Sequence, residues 1–131
     1  MRLADFRGKI VLLDLWASWC PECHVMFPAL DKLSRDFRGQ GVEVITVNVD
    51  EKRKDADAFL KAQPHQLRVM FDPQARVADA FDTLGIPASY LIDARGMIRF
   101  THEGWDETLD ATYRREIVTL LTEWRESQNR N

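Results

Sequence analysis

The chain has 131 residues, 45% of them hydrophobic and 30% charged, and carries a formal net charge of −3 at pH 7. This balance is that of one globular domain, expected over residues 1–131 and large enough to bury roughly two thirds of its unfolded surface. The mild negative charge argues against a general nucleic-acid binder, which is basic as a rule, and no apolar run approaches the roughly 20 residues that span a bilayer.

The opening MRLADFRGKI holds no hydrophobic signal-peptide core before Ile10. Ile10 already begins a strand-like run, so the chain is expected to be a mature domain or one whose leader has been removed. Lys9–Ala17, KIVLLDLWA, is apolar on both alternating faces, the pattern of a central strand covered on both sides. From about Cys20 to Arg38 a helical period follows, with Met26, Leu30, Leu33 and Phe37 on one stripe; Pro28 should kink it, and Gly39 and Gly41 end it. Val42–Val49 reads as a second strand. Asp50–Gln63 reads as a charged surface helix whose Lys, Arg and Asp side chains form a solvated face. Val69–Phe71 is a short strand. After Pro73, the residues Val77, Phe81 and Leu84 mark a short helix. Ser89–Asp93 and Met97–His102 flank the turn sequence Asp93-Ala94-Arg95-Gly96, which predicts an antiparallel hairpin. Tyr113, Ile117, Leu120, Leu121 and Trp124 stripe a final helix. Strands alternating with helices predict an α/β fold: three layers around a mixed central sheet, parallel from the crossovers and antiparallel from the closing hairpin.

Both cysteines of the chain lie in Trp19-Cys20-Pro21-Glu22-Cys23-His24, WCPECH. Three residues apart, they close too small a loop to staple a scaffold, so they read as chemistry. The segment fits two chemistries, because C-x-x-C-H attaches c-type haem and W-C-x-x-C opens the site of thiol–disulfide exchange. On the predicted map the cysteines sit where a buried strand gives way to a helix, a usual place for function in open α/β sheets. Cys20 would meet the helix N-terminus, where free N–H groups and the helix dipole favour a thiolate. Cys23 follows one turn on, in reach of a mixed disulfide, and Pro21 suits a first-turn position. Haem would also need a second axial ligand, from Met70, Met97, His65 or His102, and an apolar pocket in a chain rich in strands. A structural zinc site needs four nitrogen or sulfur ligands, against one C-x-x-C pair and scattered histidines. The expectation is therefore no metal and no cofactor.

The chain resembles the thioredoxin superfamily, and within it the TlpA/ResA-like thiol–disulfide oxidoreductases. The resemblance rests on Phe6–Cys23, Pro28, VEVITVNVD (Val42–Asp50), GIPASYLID (Gly85–Asp93) and RGMIRFTHEGW (Arg95–Trp105), nearly the whole chain. It implies a thioredoxin-like α/β/α sandwich and a redox-active pair in which Cys20 is the exposed nucleophile and Cys23 the buried resolving thiol. Pro87 matches the family's cis-proline, whose loop offers the backbone of Ile86 to a substrate strand, and Trp19 matches the aromatic beside the nucleophile. Asp14 matches a buried acid that moves a proton at the second cysteine. A carboxylate among Leu12, Leu13, Leu15 and Trp16 must in any case pair or shift its pKa, unless it lies at a wet strand end. Where many ResA-like members carry an acid three residues after the second cysteine, this chain has Met26, read as core packing. Pro21 and Glu22 are read as tuning residues; Glu22 opposes a nearby negative charge unless it is simply solvated. His24 is read as a surface residue near the pair.

The resemblance further implies protein disulfide or dithiol substrates, a membrane-bound or thioredoxin-type redox donor, a periplasmic or otherwise extracytoplasmic site of action, and a monomer. Two other readings remain. A peroxidase of the same fold would carry a threonine three residues before the attacking cysteine, where this chain has Ala17. A non-catalytic binding module would use Trp19 and Trp105 as exposed contacts.

Overall fold

A computed structural model describes residues 3–83 and 85–130. After a 3-10 turn at Leu3–Phe6 come β1 (Ile10–Trp16), α1 (Pro21–Asp36), β2 (Val42–Asn48), α2 (Arg53–Ala62), β3 (Arg68–Phe71), α3 (Arg76–Ala80), β4 (Ala88–Ile92), β5 (Ile98–Glu103) and α4 (Thr108–Asn129). The five strands form one sheet in the order β3-β2-β1-β4-β5. Every residue of β1 is buried, as the two-sided apolar pattern requires of a central strand.

Alternation along β1 divides the core. Ile10, Leu12 and Trp16 point to one face, where they pack with Met26, Phe27, Leu30 and Leu33 of α1 and with Tyr113, Ile117, Leu120 and Leu121 of α4. Val11, Leu13 and Leu15 point to the other, against Phe6, Val77, Ala78 and Phe81. Each large side chain fully buried there, such as Leu12, Leu15, Phe27 or Leu30, contributes about 1.5–3 kcal/mol. Met26 is in the core, and Asp14, in step with Leu12 and Trp16, belongs to the α1/α4 face.

The helix α1 runs unbroken across Pro28. Proline supplies no N–H to the carbonyl of His24, four residues earlier. That carbonyl accepts instead from the side-chain amide of Gln63, at 3.5 Å. Gly39 and Gly41, at φ +79° and +81°, turn the chain from α1 into β2.

Strand direction departs from the sequence-based expectation. β1–β2 and β2–β3 are parallel, but β4 is antiparallel to β1 as well as to β5. The reversal therefore begins before the hairpin. A parallel crossover must carry the chain back along the full strand, and the five residues of α3 rise only about 7.5 Å. α3 is also shorter than its apolar period: Asp82 adopts a left-handed φ of +55°, which ends the helix. Leu84, assigned above to the same stripe, lies outside the described residues.

Candidate redox site

The junction between β1 and α1 is built from its backbone outward. Cys20 is the N-cap of α1, in extended conformation, and its Sγ accepts the N–H of Cys23 at 3.2 Å. Pro21 occupies the first turn, where a missing N–H leaves nothing unpaired. Cys20 and Cys23 form a disulfide, with their Cα atoms 5.3 Å apart. Cys23 is fully buried and Cys20 keeps only 3% exposure in this closed state, far less open than its expected role as the exposed member implied. Trp19, the residue before Cys20, is 66% exposed, a large apolar ring held in solvent.

A buried carboxylate that the sequence reading assigned to a solvated helix holds this loop in place. Asp50 accepts from the Ser18 N–H at 2.9 Å, from the Ser18 hydroxyl at 2.8 Å and from the Asn48 amide at 2.7 Å. Drawn back to the end of β2, it stands outside α2, which starts only at Arg53. His24 ties the same loop from the other side, its Nε2 meeting the Ser18 carbonyl at 2.7 Å and its ring lying edge-on to Phe59 at 4.6 Å.

Glu22 is exposed but not merely solvated. Its Oε2 accepts the N–H of Trp105 at 2.8 Å, in the loop between β5 and α4. The neighbouring Gly104 is at φ +74°, and a Cβ there would come 3.3 Å from the same oxygen. Gly104 donates its N–H to the Pro87 carbonyl at 2.8 Å. Two adjacent amides thus bridge the first turn of α1 to the loop that holds Ile86 and Pro87. The Ile86–Pro87 peptide bond is cis, and Ile86 packs against both halves of the core.

Asp14 is fully buried in β1, on the face of the sheet that packs against α1 and α4. Burial pushes its pKa up to about 7, with the Ser89 hydrogen bond opposing part of the rise. The reading of a frayed, wet strand end is therefore set aside. The Ser89 hydroxyl donates to Asp14 Oδ1 and accepts from the Tyr113 hydroxyl at 2.7 Å. Burial, and next the negative charge of Asp14, raise the Tyr113 pKa. Asp14 Oδ2 has no hydrogen-bond partner among the described residues. Ser89 and Tyr113 escaped the sequence reading, which treated one as strand and the other as helix stripe. The available signal was a hydroxyl buried in the apolar run Ala88–Ile92, in register with the only charge of β1. Among the described residues no three His, Cys, Asp or Glu side chains converge to hold a metal ion. No described helix is long and apolar enough to cross a membrane.

Residues 1–101 match the family model described as the AhpC/TSA family. The chain belongs to this thioredoxin-like family. It is similar to the thiol-disulfide oxidoreductase ResA of Bacillus subtilis, at 34% identity over 98 residues, 75% of this chain and 55% of ResA. It is similar also to the thiol:disulfide interchange protein DsbE of Vibrio cholerae, at 33% identity over 121 residues, 86% of this chain and 63% of that protein. The chain therefore spans less than two thirds of the length of these relatives. A crystal structure from Chlorobium tepidum, named provisionally as a thiol:disulfide interchange protein DsbE, superposes with a TM-score of 0.89 at 33% identity, covering 92% of this chain and 86% of the other. The fold is accordingly the thioredoxin-like mixed sheet with helices on both faces, and the relatives are enzymes of thiol–disulfide exchange.

Proposed function

We propose that the protein reduces disulfides in other proteins, outside the cytoplasm, with Cys20 as nucleophile and Cys23 as resolving thiol. The observation that carries this reading is the Cys20–Cys23 disulfide at the N-terminus of α1, with the Cys20 sulfur as the N-cap acceptor. Free N–H groups and the dipole at that end favour a sulfur anion.

In the reducing direction the Cys20 thiolate attacks one sulfur of a substrate disulfide. A mixed disulfide forms and the first substrate sulfur leaves as thiolate. Cys23 then gives up its proton and attacks the Cys20 sulfur, closing Cys20–Cys23 and releasing the second substrate sulfur. Two electrons pass from the enzyme dithiol to the substrate, and a membrane-bound or thioredoxin-type donor returns them. Asp14 is the base that takes the Cys23 proton, since a carboxyl that titrates near neutrality can both accept and return it. Trp19, Ile86 and the cis-Pro87 loop offer an apolar ring and a backbone edge to an extended substrate segment. Pro21 and Glu22 tune the pair, Pro21 through the first turn of α1 and Glu22 through its bond to Trp105. The chemistry uses no metal, flavin or nucleotide, and the protein acts as a monomer. Ala17, three residues before Cys20, brings no hydroxyl to the reacting sulfur, and this favours exchange over peroxide reduction.

Equilibration of the Cys20–Cys23 couple with glutathione buffers tests the reading. A potential near −270 mV, the thioredoxin range, supports a reductant; one near −120 mV, the DsbA range, would reassign the protein as an oxidant. A pair that never equilibrates with glutathione would leave only the binding-module reading.

A further inference from the structure

The chain Tyr113–Ser89–Asp14 has a direction. A serine hydroxyl donates one hydrogen bond, and so does a tyrosine hydroxyl. An ionised Asp14 can only accept, so the Ser89 proton points to Oδ1. The oxygen of Ser89 is then left as an acceptor, and the Tyr113 hydroxyl fills it at 2.7 Å. Running the chain backwards would need an acceptor beyond Tyr113. Among the described residues its hydroxyl bonds only to Ser89. The nearest rings do not invite the reversal. His102, its ring centre 5.1 Å away, makes no hydrogen bond with the Tyr113 hydroxyl among the described residues, and Trp105, at 5.7 Å, carries only an N–H donor.

We infer that Ser89 and Tyr113 are positioning residues that hold Asp14 Oδ1 as a permanent acceptor and reserve Oδ2 as the oxygen that gains and loses the proton. Oδ2 is buried and has no partner among the described residues, so protonation there breaks no existing bond. Ser89 of β4 bonds Asp14, Tyr113 of α4 bonds Ser89, and Cys23 of α1 is buried in the core cluster on the same face of the sheet. The negative charges of Glu116 and Asp106 act on Tyr113. Taken with the proposed role of Asp14 toward Cys23, on which this part rests, the Cys23 S–H bond breaks as an O–H bond forms on Oδ2. The carboxylate is neutralised, and the new thiolate attacks the Cys20 sulfur of the mixed disulfide. Ser89 keeps its bond to Oδ1 throughout, so no hydroxyl has to rotate during the transfer.

Infrared difference spectroscopy of the protonated carboxyl, followed against pH with the disulfide closed, tests this directly. Asp14→Asn identifies the band by removing it. With the proton on Oδ2, the carbonyl is Oδ1, and its bond from Ser89 lowers the stretching frequency. Ser89→Ala should move the band to higher frequency and raise the titration midpoint by about one unit or more, because a donor to the carboxylate is lost. Ser89→Thr should restore both, and Tyr113→Phe should shift both in the direction of Ser89→Ala but by less. A band that stays in place in Ser89→Ala would overturn the inference, since a proton on Oδ1 leaves the carbonyl unbonded from the start; a midpoint that stays in place would overturn it as well, since Ser89 would then donate nothing to the carboxylate. The pH profile of mixed-disulfide resolution is read separately. If Asp14→Asn leaves that profile unchanged while the Ser89 band shift is present, the proposed role of Asp14 toward Cys23 fails and the orientation of its carboxyl stands.

Discussion

Replacing Asp14 by Asn should stabilise the protein at alkaline pH, with the sign set by linkage. The carboxyl titrates at 3.8 when unperturbed and at about 7 in the folded protein. Between these values the unfolded chain has released its proton and the folded protein still holds it. Raising the pH therefore favours unfolding: the stability contribution is fully present below pH 3.8 and is lost as pH rises through 7. The full span, 7 minus 3.8, is about 4 kcal/mol at 1.36 kcal/mol per unit. Between pH 5 and pH 8 the two titration curves leave about 2.5 kcal/mol of it. Asparagine cannot ionise and still offers an oxygen to Ser89. Urea unfolding of wild type and Asp14→Asn at both pH values, with the disulfide closed so that neither thiol titrates, measures the difference. The stability of wild type relative to the variant should fall by about 2.5 kcal/mol from pH 5 to pH 8. All other titrations are common to both proteins and cancel. A pH-independent difference would refute the claim that Asp14 is held neutral by burial.

Two further substitutions probe the frame around the sulfurs. Asp50→Ala strips the acceptor from the Ser18 N–H, the Ser18 hydroxyl and the Asn48 amide. It should cost at least about 2 kcal/mol in chemical denaturation and loosen the loop before Cys20; a loss within experimental error would mean that this loop holds without it. Glu22→Ala removes the acceptor of the Trp105 N–H, so hydrogen exchange at that amide should quicken by roughly tenfold or more while the amides of β1 stay protected. Unchanged Trp105 exchange would show that the bridge between α1 and the β5–α4 loop is not formed in solution.

What could be read from the sequence was what local pattern controls. The strand β1 announced itself because its apolar residues fall on both faces, and Asp14 stood out as the only charge within it. The two cysteines were legible from their spacing and from Pro21, which suits a helix start. The remainder depends on residues far apart in the chain. Ser89 and Tyr113 are separated by 24 positions and each has an ordinary local role, so their joint hold on Asp14 exists only once β4 and α4 pack against β1. Asp50 was hidden at the head of a charged run, where nothing local tells a buried loop anchor from a solvated helix residue. Glu22 looked solvated because its partner is a backbone amide 83 residues away. The direction of β4 was missed because the apolar period at Val77 and Phe81 continues past Ala80, where the backbone has already left the helix.

The most direct test of the account is to trap the exchange itself. Reduced Cys23→Ser and reduced Cys20→Ser are each mixed with a peptide disulfide, and the adducts are located by mass spectrometry. Cys23→Ser should accumulate a stable mixed disulfide on Cys20, because the sulfur that would release it is gone, and Cys20→Ser should react far more slowly. Adducts formed faster on Cys23 than on Cys20, or on neither, would contradict the assignment of Cys20 as the attacking sulfur.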